Sequence, residues 1–251
     1  MTTDLLDALM AHRGLVCLVG AGGKKTTLYR LAGEHPGRVG ITATVHTALF
    51  PKSLGAEEII DEAPRLSDTV VAAAARRRRI AFARPSEKKG RLAGLDPAQV
   101  VEIHTAAAFD VTLVKADGAR GRWIKAPQHD EPILPQDTTT IIPIVSAKAI
   151  GEPLTERVAH RIEHISAVTG ALPGNPITTE HVARLLTDKN GALKHVGNAF
   201  VVPLINMVDD AKCEALANEA AEQALALSDR FDRVVLAAMT SADPLVRVVY
   251  R

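Results

Sequence analysis

The chain has 251 residues, 47% hydrophobic and 24% charged, so it can fill a core and is not disordered along its length. Thirty basic residues against twenty-nine acidic ones leave a net charge of +1, and aromatics make up only 3%. That balance argues against a general nucleic-acid binder, an anionic-membrane binder and a stacking platform for single strands. The two cysteines, Cys17 and Cys213, lie far apart and have no C-x-x-C partners, which excludes a disulfide scaffold and a four-thiolate zinc site.

The opening run MTTDLLDALMAHRG carries acids in a short amphipathic stretch and lacks a basic-then-apolar signal pattern. No apolar stretch approaches the ~20 residues of a membrane span. The expectation is a soluble cytoplasmic protein. Next, Gly14 to Val19 reads as a buried strand ending in glycines, Lys25 to Glu34 as a helix, and Arg38 to Thr44 as a second strand. Ser67 is a plausible N-cap for an Ala-rich helix ending near Arg79, and residues 80–83 form the next strand candidate. Asp96-Pro97 opens another helix, with the N-cap followed by proline at the first helical position. Val111 to Ala116 and Thr139 to Val145 are strongly β-type. Thr155–Thr169 and Thr178–Leu186 look helical. Strands return at Phe200–Ile205, Arg233–Ala237 and Val246–Tyr250, with a long helix from Asp210 to about Ser228. This alternation predicts an α/β fold, a single domain over 1–251 with a mostly parallel sheet and helices on both faces. A helical insertion is expected over about 150–197.

The most informative stretch is Val19-Gly20-Ala21-Gly22-Gly23-Lys24-Lys25-Thr26-Thr27-Leu28, between the first strand and the first long helix. Glycines let successive N–H groups face one anion, the helix N-terminus adds partial positive charge, a lysine neutralises phosphates, and a hydroxyl can ligate Mg²⁺. Two readings compete. A dinucleotide fingerprint fits Gly20 and Gly22, but Lys25 takes the third glycine position and no acid follows the second strand. A P-loop has its core at Gly23-Lys24, with shorter glycine spacing, Lys25 at the expected hydroxyl position and Thr26 one place late. A tight glycine turn accounts for the glycines but not for two lysines at a helix start, where the dipole disfavours cations. Further on, the strand 111–116 ends in Asp117-Gly118-Ala119-Arg120-Gly121, which places a carboxylate where P-loop enzymes carry a Mg²⁺-side acid.

VGAGGKKTTLYRLA together with VKADGARGRWIKAPQHDEPILP resembles the YqeC family, accessory proteins of selenium-dependent molybdenum hydroxylases. The likeness extends to Thr42–His46, Val158–Glu163 and Leu204–Asp209. It implies a P-loop NTPase-like fold and a role in maturing such a hydroxylase, with GTP or ATP and Mg²⁺ as cofactors and the hydroxylase or its assembly proteins as partners. It implies Gly20, Gly22, Gly23, Lys24 and Thr26 as phosphate contacts, with Ala21, Lys25 and Thr27 in the same loop. Lys24 and Asp117 would be the catalytic pair, Thr26 and Asp117 the Mg²⁺ side, and Arg120, Arg122 and Lys125 a place for a second anionic group. Asn206 and Asp209 sit where a guanine-reading turn would lie, although Asp209 also suits a helix N-cap region. Lys25 and Lys115 replace a usual hydroxyl residue and a usual Glu, and both add positive charge, which disfavours Mg²⁺-dependent hydrolysis more than anion binding.

Other signals are weaker. His160, Glu163 and His164 match the inverted zinc-protease string and would share a helix face, but no third ligand stands out. Arg76–Arg79 read as a helix end facing solvent. His129 sits in a proline-rich loop. Cys17 reads as core, and Cys213, near a helix start, as an ordinary thiol with some prospect of a lowered pKa. The leading expectation is a nucleotide-binding accessory protein with slow Mg²⁺-dependent hydrolysis. A non-catalytic carrier of an anionic cofactor is the alternative, and a small-molecule kinase a third class.

Overall fold

The computed structural model describes residues 4–63 and 65–251, so the first three residues of the opening run lie outside the described residues. In chain order the elements are α1 (Leu5–Ala8), β1 (Gly14–Gly20), α2 (Lys24–Glu34), β2 (Val39–Ala43), β3 (Thr47–Ala48), β4 (Glu57–Ile60), α3 (Arg65–Ala74), β5 (Arg79–Ala83), β6 (Arg91–Leu92), α4 (Pro97–Ala106) and β7 (Val111–Lys115). The second half adds β8 (Ile124–Lys125), β9 (Thr138–Ser146), β10 (Ala159–His160), α5 (Ile162–Thr169), α6 (Thr179–Thr187), β11 (Phe200–Val201), β12 (Leu204–Asn206), α7 (Ala211–Leu227), β13 (Arg233–Ala237) and β14 (Leu245–Tyr250).

The main sheet has ten strands, in the order β14-β13-β12-β9-β1-β7-β2-β5-β4, with β11 also pairing to β9. Every pairing is parallel except β13 with β14, at the edge. The α/β expectation therefore holds. Strand β1 lies mid-sheet, and the period-two alternation of its side chains divides them between two cores. Val16 and Leu18 pack with Leu28 and Leu31 of α2 on one face. Leu15, Cys17 and Val19 pack with Leu66 of α3 and Ile103 of α4 on the other. Farther along the sheet, α5, α6 and α7 cover Val145, Ile205 and Leu236 in a third cluster, which takes in much of segment 150–197. The chain runs from β1 to β2 on one side, and later crosses from β7 past β1 to β9 on the other. The carboxyl ends of β7, β1 and β9 thus flank the kind of crevice where open α/β sheets bind ligands.

Three elements differ from the sequence reading. Helix α3 starts before Ser67 and stops at Ala74. Arg76 folds back to the Ala72 carbonyl at 2.9 Å, Arg76 and Arg77 pair with Glu57, and Arg79 already belongs to β5. The 155–169 helix is cut to Ile162–Thr169, because Ala159–His160 pairs with β8 and Arg161 takes a left-handed φ of 68° that a helix cannot hold. The 200–205 strand is split around Val202-Pro203, and both halves pair with β9. The Asp96 cap forms as expected, with its carboxylate accepting from the Ala98 N–H at 2.9 Å and Pro97 opening the helix.

Candidate functional site

The turn from β1 into α2 brings the predicted loop to the carboxyl end of the sheet. Gly22 and Gly23 have φ of 92° and 114°, in the left-handed region that suits glycine. A Cβ at Gly22 would strike the β9 backbone at Ser146, and one at Gly23 would strike the Asn206 side chain. The loop is pinned from several sides. The N–H groups of Gly20, Ala21 and Gly22 donate to Asp117 Oδ2 (2.9 Å), the Ile144 carbonyl (2.8 Å) and the Arg122 carbonyl (3.1 Å). Those three amides are already satisfied. The donors left open are the Gly23, Lys24, Lys25 and Thr26 N–H groups at the start of α2, which has no side-chain cap. The open donors thus run from the last glycine, Gly23, to Thr26, and not from Gly20 to Gly22.

Lys24 is 6% exposed and turns inward. Its Nζ donates to the Gly20 carbonyl and lies 2.9 Å from Asp117 Oδ1, outside well-directed hydrogen-bond geometry. Asp117, 2% exposed at the end of β7, also receives Lys125 Nζ at 2.8 Å. Lys125 Nζ in turn donates to the Gly118 carbonyl and to Glu131 Oε2, each at 2.6 Å, and Arg161 grips Glu131 with Nη1 and Nη2. The result is a chain of charges, Lys24–Asp117–Lys125–Glu131–Arg161, buried over its first three members and half-buried over the last two. Burial pushes the Asp117 carboxyl up, but the two ammonium groups override it and hold the carboxyl below its usual range. Burial pulls the Lys24 ammonium down while Asp117 pulls it back, so the carboxylate is the group firmly kept charged. Glu131 behaves like Asp117. Its partial burial is outweighed by Arg161 and Lys125, and its carboxyl sits at about 2.

Above this chain opens a cleft of about 650 Å³, within the size range of small-ligand sites. Its lining includes Lys24, Lys25, Lys88, Arg91, Lys115, Arg120 and Arg122, together with Thr26 and His46, and among the described residues it contains no carboxylate. Among the described residues, none of these cations except Lys24 forms an ion pair. Lys115 Nζ donates to the His46 carbonyl at 3.0 Å. Burial first, then the charges of Lys24, Lys125 and Arg91, pull the Lys115 ammonium down to about 7.

The predicted residues therefore separate into groups. Gly22–Thr26, Arg120 and Arg122 meet around the cleft, Gly20 and Ala21 lie outside its lining, and Asp117 lies behind it. Thr27 is buried and donates to the Gly23 carbonyl. Lys125 is buried in the charge chain and is not on the cleft wall. Asn206 is 2% exposed and spent on the fold, with Nδ2 donating to the Gly22 carbonyl at 2.8 Å and Oδ1 accepting from the Met239 N–H at 3.2 Å. Asp209 lies apart from the loop in an exposed pair with Lys148 at 2.6 Å. Lys88 and Arg91 were missed by sequence reasoning. They come from the β5–β6 region and have no local motif, so only the three-dimensional fold brings them opposite the loop.

The zinc string does not assemble. His160 lies on β10 and His164 on α5, with the Arg161 break between them, so the two imidazoles share no helix face. Cys17 is buried and its thiol is pushed up to about 12. Cys213 is also raised, by burial and then by Asp210, so no activated thiol arises there.

The fold and site define an α/β protein with a glycine turn and a carboxylate-free basic cleft at the switch point of its sheet. The chain belongs to the YqeC family, whose model, described as "YqeC protein", matches residues 16–163. It is also similar to a protein of Escherichia coli (strain K12) described as "Uncharacterized protein YqeC", being 28% identical over 187 residues, which cover 72% of this chain and 71% of that one. No described helix is long and apolar enough to cross a membrane.

Proposed function

We propose that the chain binds a phosphorylated nucleotide in the basic cleft, with its phosphates at the open amides of α2, and holds it as an accessory protein for a selenium-dependent molybdenum hydroxylase. The observation that carries the reading is a ligand-sized cleft whose charged lining is all cationic, set against unpartnered helix N–H groups. The hydroxylase setting comes from the family resemblance and is the outer part of the proposal. Lys24 stands where it can exchange part of its ion pair for a phosphate oxygen, because Asp117 keeps Lys125 and the Gly20 N–H as partners.

The donor set does not fit Mg²⁺ at the Thr26–Asp117 position. Asp117 is buried and taken up by two ammonium groups and an N–H, leaving one neutral hydroxyl, whereas Mg²⁺ sites are built on carboxylates and phosphates. No hydrolytic step is therefore derived through the ion, and the carrier reading is favoured over the NTPase reading. With Asn206 bracing Gly22 and Asp209 paired to Lys148, no base preference is proposed.

Calorimetric titration with GTP and ATP tests the reading. The wild-type chain binds both, and Lys24→Ala weakens binding by a factor on the order of 100, the loss of a charge-assisted contact in a shielded site. Unchanged affinity in a folded Lys24→Ala protein overturns the assignment.

A further inference from the structure

We infer that the ligand enters this cleft as a metal-free polyanion, with side-chain ammonium and guanidinium groups standing where a divalent cation stands at other phosphate sites. The inference rests on the nucleotide reading above and narrows it to one ionic form of the ligand.

Three observations support it. First, the cleft wall carries Lys24, Lys25, Lys88, Arg91, Lys115, Arg120 and Arg122 and, among the described residues, no carboxylate to hold a cation. Second, Asp117, the acid directly behind Lys24, is nine-tenths buried or more and is already neutralised by Lys24 and Lys125, and Glu131 farther along is held by Lys125 and Arg161. Third, the cations lie on both rims, with Lys24 and Lys25 on the loop side and Lys88 and Arg91 on the β6 side. A bound polyanion therefore meets positive charge from two directions. A phosphate–metal complex has lost up to about half of the negative charge that this arrangement attracts, and it adds a cation to a crowd of like charges. Free phosphate oxygens meet Lys25, Lys88, Arg91, Arg120 and Arg122 without breaking an ion pair, whereas Lys24 exchanges part of its contact with Asp117 and Lys115 its bond to the His46 carbonyl.

The experiment measures the affinity of the full chain for GTP, ATP and inorganic triphosphate in a chelator and again in millimolar Mg²⁺. Binding is expected in the chelator, and Mg²⁺ is expected to weaken it by ~5-fold or more. Binding that appears only with Mg²⁺, or tightens with it, overturns the inference while leaving the nucleotide reading standing. Absence of binding in both buffers overturns the nucleotide reading and the inference with it. Lys115→Glu supplies the converse arm by placing a carboxylate on the cleft wall. Weaker binding in the chelator, partly restored by Mg²⁺, supports the inference, and a variant with the wild-type response to Mg²⁺ counts against it. Thermal unfolding of Lys115→Glu is run alongside, and if that variant does not fold, the chelator and Mg²⁺ comparison on the wild-type chain decides alone.

Discussion

Two charged regions meet at Lys24, and they solve the same electrostatic problem in opposite ways. Beneath it, Lys24, Lys125 and Arg161 alternate with Asp117 and Glu131, and almost every polar atom has a partner. Above it, the cleft gathers Lys25, Lys88, Arg91, Lys115, Arg120 and Arg122, and none of them is ion-paired among the described residues. The difference follows from solvent. A buried charge cannot draw on water, so its compensation must come from within the chain. A charge on an open cleft is paid by water and counterions until a better anion arrives. One region is a structural keel for the loop, and the other is where the proposed ligand would be read.

The comparison breaks most sharply at Asp117. Asp117→Ala takes the carboxylate partner from the buried Lys24 ammonium, leaves Lys125 with Glu131 alone and frees the Gly20 N–H, so a loss of about 3–5 kcal/mol is expected, the usual result of deleting one side of a buried ion pair. Urea denaturation measures it, and a loss below about 1 kcal/mol would mean that the buried chain does not hold the loop. The next effect is acid sensitivity. Glu131 is held at about 2 against an ordinary 4.5, a depressed value, so its contribution is complete above 4.5 and fades as pH falls toward 2. Asp117 shifts in the same direction. Urea midpoints measured across that window should fall more steeply for the wild type than for Glu131→Gln, and parallel curves would remove Glu131 from the balance.

Lys115 marks the border between the two regions and gives a smaller effect with two signs. Its ammonium sits at about 7 against an ordinary 10.5, pulled down by burial, then by Lys24, Lys125 and Arg91, with only Asp117 opposing. In the ligand-free protein the unfolded chain holds this proton more tightly, so stability rises as pH climbs from 7 toward 10.5. A bound polyanion reverses the preference and raises the Lys115 pKa. Its contribution to affinity is then complete below 7 and declines as pH rises through that value. Titrations from mildly acid to mildly alkaline pH should show affinity falling by several-fold as unfolding free energy increases, and Lys115→Met should flatten both trends.

How much of this was legible in the chain depends on distance along it. The loop and Asp117 each end a short apolar strand, and the apolar runs that form β1 and β7 also fix where those ends emerge, so local pattern was enough. The charge chain spans Asp117, Glu131 and Arg161, and no local spacing announces that β8 will pair with β10 and bury Lys125. Lys125 therefore read, with Arg120 and Arg122, as part of a place for a second anionic group. The same pairing explains why residues 155–169 looked like one helix. Their apolar periodicity is real, but tertiary contacts claim Ala159–His160 as a strand and Arg161 for Glu131. Asn206 shows the converse case. Its position near the loop was legible, but its task, bracing Gly22 and Met239, depends on partners far away in sequence.

The smallest expected effect separates the two regions most cleanly. Arg91 is exposed on the short β6 strand, and its guanidinium has no ion-pair partner among the described residues. Its backbone N–H donates to the Lys88 carbonyl whatever the side chain. Arg91→Ala should therefore leave the unfolding free energy within about 0.5 kcal/mol of wild type, as for surface changes away from packed features. Relief from its like-charged neighbour Lys115 pushes that small change toward stabilisation. Nucleotide affinity should drop by only ~2–5-fold, the scale of one solvent-exposed ionic contact. The drop should shrink as salt is raised, because the screening length falls to about 8 Å near physiological ionic strength. Lys88→Ala should behave alike. An Arg91→Ala stability loss comparable to that of Asp117→Ala would show that the cleft cations are part of the keel, and the division between a self-balanced interior and a ligand-reading surface would fail.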